Sequence, residues 1–414
     1  MLDPAIIWDW LGLLLRWFHV VAGIAWIGSS FYFIALDLGL RDAPDLPAGA
    51  HGEEWQVHGG GFYHIRKYLV APDRLPAHLT WFKWESYATW LSGMAMLAVI
   101  YWAGAELYLI APAKADLAVW QAVALSAGVL VAGWGAYDLL CRSGLARQPG
   151  WLMALLFAGL VVLAWGLVQV FTGRAALLHL GAVTATIMSA NVFLVIIPNQ
   201  KRVTADLRAG RQPDPALGKA AKLRSTHNNY LTLPVLFLML SNHYPLVFAT
   251  PYNWAIAALT FPVGALIRHY FNARHAGAGN PVWTWGAAAA LVLVAMWLSA
   301  RPVAEADPEA DTATAAPRFA AAEGFDQVTG IVQTRCAMCH ARDPLWPGLR
   351  HAPRGVVLET PAQVAAQARA IYLQSGRSRA MPPANLTALA PEERRAIRDW
   401  YRAADAAPWR LAGR

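Results

Sequence analysis

Eight apolar runs fill the first 300 residues of this chain, and they leave it few folds to adopt. A membrane span needs about 20 apolar residues. The runs are approximately Leu11 to Leu36, Tyr87 to Gly104, Val119 to Leu140, Trp151 to Val170, Leu177 to Ile197, Tyr230 to Phe248, Trp254 to Phe271 and Trp283 to Ser299. Hydrocarbon offers no hydrogen bonds, so each run must satisfy its own backbone as a helix. Trp8, Trp10, Trp81, Trp84, Trp120, Trp151, Trp254 and Trp283 stand near the proposed ends, as an interfacial aromatic belt requires. Pro234 and Pro245 interrupt the sixth run. Only 14% of residues are charged, against about 25% in soluble domains. The expected fold is all-α, a polytopic helix bundle embedded in a lipid bilayer.

The last hundred residues differ. Cys336-Ala337-Met338-Cys339-His340 is a C-x-x-C-H run. It sets two thiols one helical turn apart, each able to form a thioether to a haem vinyl group, with the histidine placed as proximal iron ligand. A zinc site would need two further ligands at sensible spacing, and the nearest candidate is His351. Met381, in Arg379-Ala380-Met381-Pro382-Pro383, offers a distal thioether on a proline-restricted loop. One covalent haem c is therefore expected, with iron between His340 and Met381. The third cysteine, Cys141, is read as a buried or membrane-edge thiol without a role.

Covalent haem c is assembled on the periplasmic side of a bacterial membrane, which fixes an orientation. Eight spans place both termini on that side. The loops after spans one, three, five and seven should then face the cytoplasm. They carry Arg41, Arg66, Lys67, Arg74 and Lys83; Arg142 and Arg147; Lys201, Arg202, Arg208, Arg211, Lys219, Lys222 and Arg224; and Arg274 beside Arg268. The opposite loops offer little beyond Lys114, Arg174 and Arg301. The positive-inside rule gives the same orientation from independent residues. This bias accounts for most of the net charge of +8, which calls for no nucleic-acid partner. Met1 to Trp10 lacks a basic n-region, so no cleaved signal peptide is expected.

Three segments follow: a transmembrane domain over 1–300, a solvated tether over 301–317, and a mostly helical class I-like cytochrome c domain over 318–414. In the last, a helix over Ala321 to Thr334 leads into the haem motif. Pro391-Glu392-Glu393 opens another, with acids where the helix dipole favours them. Trp400 and Tyr401 on that helix are expected to pack against Gly324 and Phe325.

Polar residues within spans are expensive and mark function. His19, His179 and His243 fall in the outer half on this topology. Two of them could ligate a non-covalent haem b, or each could simply bond a neighbouring helix. A second cluster falls on the inner side: Trp55, His58, Gly59-Gly60-Gly61, Tyr63, His64, Arg66 and Lys67, then Lys83 and Glu85, then Arg224, His227, Asn228 and Asn229, then His269, Asn272, Arg274 and His275. The glycines would let backbone approach a flat ligand. The remainder supply the donors, acceptors and acid/base groups that a planar heterocycle demands. The alternative is a set of solvated surface charges.

Several stretches together resemble the bacterial membrane-bound urate oxidase (urate hydroxylase) family fused to a cytochrome c. They are Trp17 to Tyr32 (WFHVVAGIAWIGSSFY), His58-Gly59-Gly60-Gly61-Phe62-Tyr63, Trp81-Phe82-Lys83-Trp84-Glu85, Met188-Ser189-Ala190-Asn191-Val192-Phe193, Ile197-Pro198-Asn199-Gln200 and His227 to Pro234 (HNNYLTLP), with the haem motif and Met381-Pro382-Pro383. The resemblance spans essentially the whole chain. It implies an inner-membrane oxidoreductase of purine catabolism that converts urate to 5-hydroxyisourate. Electrons would pass to haem c and on to a downstream cytochrome or terminal oxidase, not directly to oxygen. On our reading of the residues, Arg224 or Arg66 would offset the urate charge, Asn228 and Asn229 would read its amide edges, and Glu85 or His227 would remove a proton. Haem b would sit at His19 and His179.

Urate held at the inner face would lie a bilayer away from haem c. Either a second redox centre exists near His64, His227 or His269, or the substrate site lies outside. Two rival readings exist. The His-x-x-Ala-Gly-x-x-Trp pattern of span one also resembles haem-b membrane proteins of the protoporphyrinogen oxidase type, although those are shorter and lack a fused cytochrome. A non-catalytic electron conduit for a partner dehydrogenase would need no inner pocket.

Overall fold

The computed structural model of the chain describes residues 4–68, 75–111, 114–301, 317–347, 349, 352–377 and 381–406. Helix α1 (Pro4–Gly39) opens it and leads into an antiparallel hairpin of β1 (Ala50–His58) and β2 (Gly61–Tyr68). The pairing of His58 with Gly61 leaves Gly59-Gly60 as a two-residue turn, with φ of 59° and 80°. Such a turn needs left-handed backbone at both positions, where glycine carries no steric penalty. These glycines therefore close a hairpin. The all-α expectation missed this element, although Glu54, Trp55, Gln56 and Val57 alternate with the period of a strand.

The helices that follow are α2 (Trp84–Met96), extended by a π-helical segment over Leu97–Trp102, then α3 (Val119–Arg142) and α4 (Pro149–Val170). Next, α5 (Gly173–Ala190) runs through a π-helical segment, Asn191–Ile196, into α6 (Ile197–Arg208). Then come α7 (Pro215–Ser241), α8 (Asn253–His275) and α9 (Trp283–Ser299). Among the described residues, four helical stretches are long and apolar enough to cross a membrane: Ile6–Gly39, Val119–Arg142, Pro149–Val170 and Gly173–Arg208; Trp283–Ser299 is a shorter apolar helix. The expected span from Tyr230 to Phe248 is displaced. Its helix starts at Pro215, where the Asp214 side chain accepts from the Ala216 N–H, and it ends at Ser241. A capping acid followed by proline at the first helical position dictates that start.

The core lies where α5, α7 and α8 meet α3 and α4, around Leu152, Leu177, Leu180, Leu238 and Ala257. Antiparallel α7 and α8 cross closely at Pro234 and Gly264, where a Cβ on Gly264 would meet Pro234 Cδ at 2.5 Å. By contrast α1 lies outside, with Trp17 and Ile24 68% and 66% exposed. At one end Asp37 of α1 pairs with Lys67 of β2 and Lys222 of α7. There too, Arg41 donates to the His275 carbonyl at 3.2 Å. This basic end gathers the C-termini of α1 and α8, the hairpin and the first turns of α7.

Residues after 316 have a core of their own, built on α10 (Phe325–Arg335), α11 (Ala337–His340), α12 (Pro361–Ala366) and α13 (Pro391–Ala406). Trp400 on α13 is buried, donates to the Phe319 carbonyl at 2.9 Å and stacks on Phe325 at 6.0 Å. Gly324, at φ 83°, stands beside Trp400, where an added Cβ would meet the Trp400 Cβ at 3.9 Å. Tyr401 packs elsewhere than expected, stacked on Tyr372 at 4.2 Å and Phe319 at 5.2 Å. Of the tether expected over 301–317, residues 302–316 lie outside the described residues, as do Arg74, His351, Arg379 and Ala380.

Candidate functional site

Helix α7 carries three consecutive polar residues, His227, Asn228 and Asn229, all buried. Successive side chains on a helix diverge by about 100°, so the three must face different neighbours. His227 and Asn228 turn toward α3 and the π-helical segment after α5. Asn229 turns toward α8.

The first direction holds a closed network. Arg224 pairs with Asp138 at 2.6 Å and donates to Asn191 Oδ1 at 3.3 Å. Asn191 Nδ2 donates to the Tyr137 hydroxyl at 3.0 Å and to Asn228 Oδ1 at 2.9 Å, and Asn228 Nδ2 donates to the Met188 carbonyl at 2.9 Å. His227 Nδ1 lies 2.8 Å from the Tyr137 hydroxyl and 3.9 Å from Cys141 Sγ. Cys141, expected to have no role, thus borders this network. The π-helical segment begins at Asn191, and such segments re-aim side chains at functional sites.

The second direction holds an open one. Arg268 of α8 donates from Nε to Asn229 Oδ1 at 2.6 Å and from Nη2 to Asn272 Oδ1 at 3.2 Å, and Asn229 Nδ2 donates to Asn272 Oδ1 at 3.2 Å. The guanidinium carbon lies 3.9 Å from the ring centroid of Phe31 on α1. Among the described residues, Arg268 Nη1 and Asn272 Nδ2 make no hydrogen bond and no carboxylate pairs with Arg268.

The other expected residues scatter. Arg66 lies on the hairpin, bonded to Glu53 at 2.9 Å and Asp45 at 3.1 Å. Glu53 is held below the usual carboxylate range, chiefly by its hydrogen bond with His64, with Arg66 adding to the effect. Glu85 opens α2, and its carboxylate has no partner among the described residues. Antiparallel contacts between α1 and α2 (Gly23 with Thr89, Phe33 with Phe82) put Glu85 at the level of the α1 stretch holding Phe31. A groove of about 490 Å³ lined by Trp81, Lys201, Thr204 and Arg208 shares no residue with either network.

His19 and His179 are not brought together. His19 Nδ1 contacts the Thr89 carbonyl and Ser92 Oγ, both at 3.0 Å. His179 stacks on Phe171 and lies edge-on to Tyr101, about 12 residues further along the helix, or roughly 18 Å at 1.5 Å per residue. Both nitrogens of His179 are engaged, Nδ1 with the Ala175 carbonyl at 2.8 Å and Nε2 with Ser126 Oγ at 2.6 Å. It does not fit an iron ligand, whereas His19 keeps Nε2 free among the described residues. His243 is exposed in the turn after α7.

In the C-terminal residues, His340 Nδ1 donates to the Val356 carbonyl at 2.8 Å. This fixes the ring and leaves Nε2 for a metal. Burial pushes the Cys336 thiol up to about 11 and raises that of Cys339. Buried Arg394 donates to the carbonyls of Ser375 and Met381 and to Asn385 Oδ1, holding the loop that presents Met381. The donor set and its supports fit a haem c.

Tyr137, Asp138 and Asn191 escaped the sequence reading as site residues, and Arg268 figured there only as a surface charge. Each is a polar residue within an apolar run, which was the available signal. The family described as urate oxidase N-terminal matches residues 5–299. No curated protein and no solved structure matches the chain.

Proposed function

The chain belongs to the urate oxidase N-terminal family, and on that premise we propose that it is a membrane-bound oxidoreductase converting urate to 5-hydroxyisourate. The reaction removes two electrons and two protons from urate, and water supplies the new hydroxyl oxygen. The observation that carries the reading is the open set of Arg268, Asn229 and Asn272 beside Phe31, with the unengaged Glu85 at the same level. Purine-like edges present alternating donors and acceptors; the set keeps two donors unused, Arg268 Nη1 and Asn272 Nδ2, and Glu85 is the unengaged acceptor. Glu85 is the group we assign to proton removal. His227 is tied into the closed network with Arg224 and Asn228, which positions α7 and does not contact substrate. Arg66 belongs to the hairpin.

Cys336 and Cys339 would hold haem c as thioethers, with His340 and Met381 as axial ligands. When bound, haem c supplies a one-electron acceptor, from which a downstream cytochrome or terminal oxidase draws. The exposed apolar surface of α1 faces lipid in this reading, the basic end faces the cytoplasm, and the haem c domain is periplasmic in a bacterial inner membrane. Eight spans are retained, with residues 301–317 as the tether. His19 is about 12 residues, or 18 Å, along α1 from Phe31 toward the far end, and we assign it to a haem b.

The test is anaerobic addition of urate to the purified, air-oxidised protein. Urate, but not xanthine, is expected to bring up the haem c α-band, and Glu85→Gln to slow it at least 100-fold. A haem c reduced by dithionite and untouched by urate would leave only an electron conduit.

A further inference from the structure

Of the arginines expected to meet the urate charge, neither Arg224 nor Arg66 is available. Asp138 neutralises the first; Glu53 and Asp45 neutralise the second. Arg268 is as buried as Arg224, at 6% against 4% exposure, yet no carboxylate pairs with it among the described residues. A buried cation without a counter-charge is costly to the fold. Its contact with Phe31 and two amide oxygens offset only part of that cost. An anion at the unused Nη1 would complete it.

We infer that Arg268, with Asn229, Asn272 and Phe31, is the anion-recognition site of this protein and selects urate in its monoanionic form over neutral purines. The inference rests on the urate reading above. Three helices build the site: α1 supplies the ring, α7 one amide, and α8 the guanidinium and the other amide. The Gly264–Pro234 crossing, one turn along α8 from Arg268, sets the distance between the last two helices. A planar anion lying against Phe31 would accept from Nη1 along one edge. Asn272 Nδ2, also unused, would donate to a second acceptor. A neutral purine of the same shape gains the amide contact but not the charge.

The experiment is equilibrium dialysis of radiolabelled urate, and separately of neutral hypoxanthine, against the full-length oxidised protein in detergent. Arg268→Gln is expected to weaken urate binding at least 30-fold and hypoxanthine binding less than threefold. Arg268→Lys, which keeps charge but loses the fork, should weaken urate about fivefold. Asn272→Asp, which supplies the missing carboxylate and leaves the arginine in place, should abolish urate binding while the thermal midpoint holds or rises. It decides the matter even where Arg268→Gln does not fold. Urate affinity unchanged in Asn272→Asp, or equal losses for both purines in Arg268→Gln, overturns the inference and leaves urate oxidation standing. Wild-type protein that binds hypoxanthine but no urate overturns both.

Discussion

Arg224 and Arg268 invite comparison because nearly everything about them is shared. Both are buried, both donate to asparagine amides, and both guanidinium groups lie against an aromatic ring, Tyr137 at 4.9 Å and Phe31 at 3.9 Å. The difference is one carboxylate. Asp138 closes the network around Arg224, so every partner there is inside the fold. Around Arg268 the partners are neutral amides, and donors remain over. A buried arginine with its acid is scaffold; the same residue without one is a place for a ligand.

The sharpest way to break this contrast is to make Arg224 resemble Arg268. Asp138→Asn leaves the Arg224 guanidinium buried without its counter-charge, a change worth about 3–5 kcal/mol. Exposed Arg142 also loses its ion pair with Asp138, at little cost because water replaces it. The thermal midpoint in detergent should fall steeply, with urate affinity in the surviving folded fraction unchanged. An Asp138→Asn protein as stable as wild type would show that Arg224 needs no scaffold acid.

Next in size is Tyr137→Phe. It removes the oxygen that accepts from Asn191 and meets His227, leaving buried polar atoms short of a partner at a cost of about 1–3 kcal/mol. Stability should drop while KM for urate stays within twofold. A raised KM at unchanged midpoint would move the closed network into the substrate site.

How much of this was legible beforehand follows the same contrast. The apolar runs announce α3, α4 and α9 to within two residues and α1 and α8 to within seven, because each run must satisfy its own backbone as a helix. The C-x-x-C-H run carries the haem c proposal from adjacent residues alone, because its chemistry is local. Pairing between distant charges is not. Nothing in the sequence says that Asp138 reaches Arg224, 86 residues away, or that Arg268 finds only amides. Arg224 and Arg66, expected to meet the substrate, are paired instead with Asp138 and with Glu53 and Asp45. Likewise, the glycine run reads as backbone free to approach a flat ligand until strand pairing shows Trp55 opposite His64.

The converse exchange gives Arg268 an acid. Asn229→Asp places a carboxylate oxygen where an amide oxygen now lies, 2.6 Å from Nε. A charge-assisted bond should raise stability by about 1 kcal/mol, although the lost Nδ2 donor to Asn272 takes back some of the gain. Urate binding should disappear as stability rises. A variant both more stable and fully active would show that the open arginine is not where substrate charge is met.

The smallest effect belongs to the third arginine, Arg66, which meets its acids at the surface. Here Glu53 sits below its unfolded value because of His64 and, secondarily, Arg66. A depressed carboxylate stabilises the folded form above its unfolded value, and that contribution is lost as pH falls through the lower, folded one. At neutral pH the pair is therefore fully formed, and only strong acid should loosen it. Because water screens the pair, Glu53→Gln should leave the global midpoint unmoved. The change should be confined to amide exchange across β1 and β2: wild-type protection, corrected for intrinsic rate, falls below the ordinary carboxylate range, and Glu53→Gln has lost that pH dependence. A large drop in midpoint for Glu53→Gln would mean that the hairpin shares the energetics of the buried arginines, and that burial does not divide scaffold from surface in this protein.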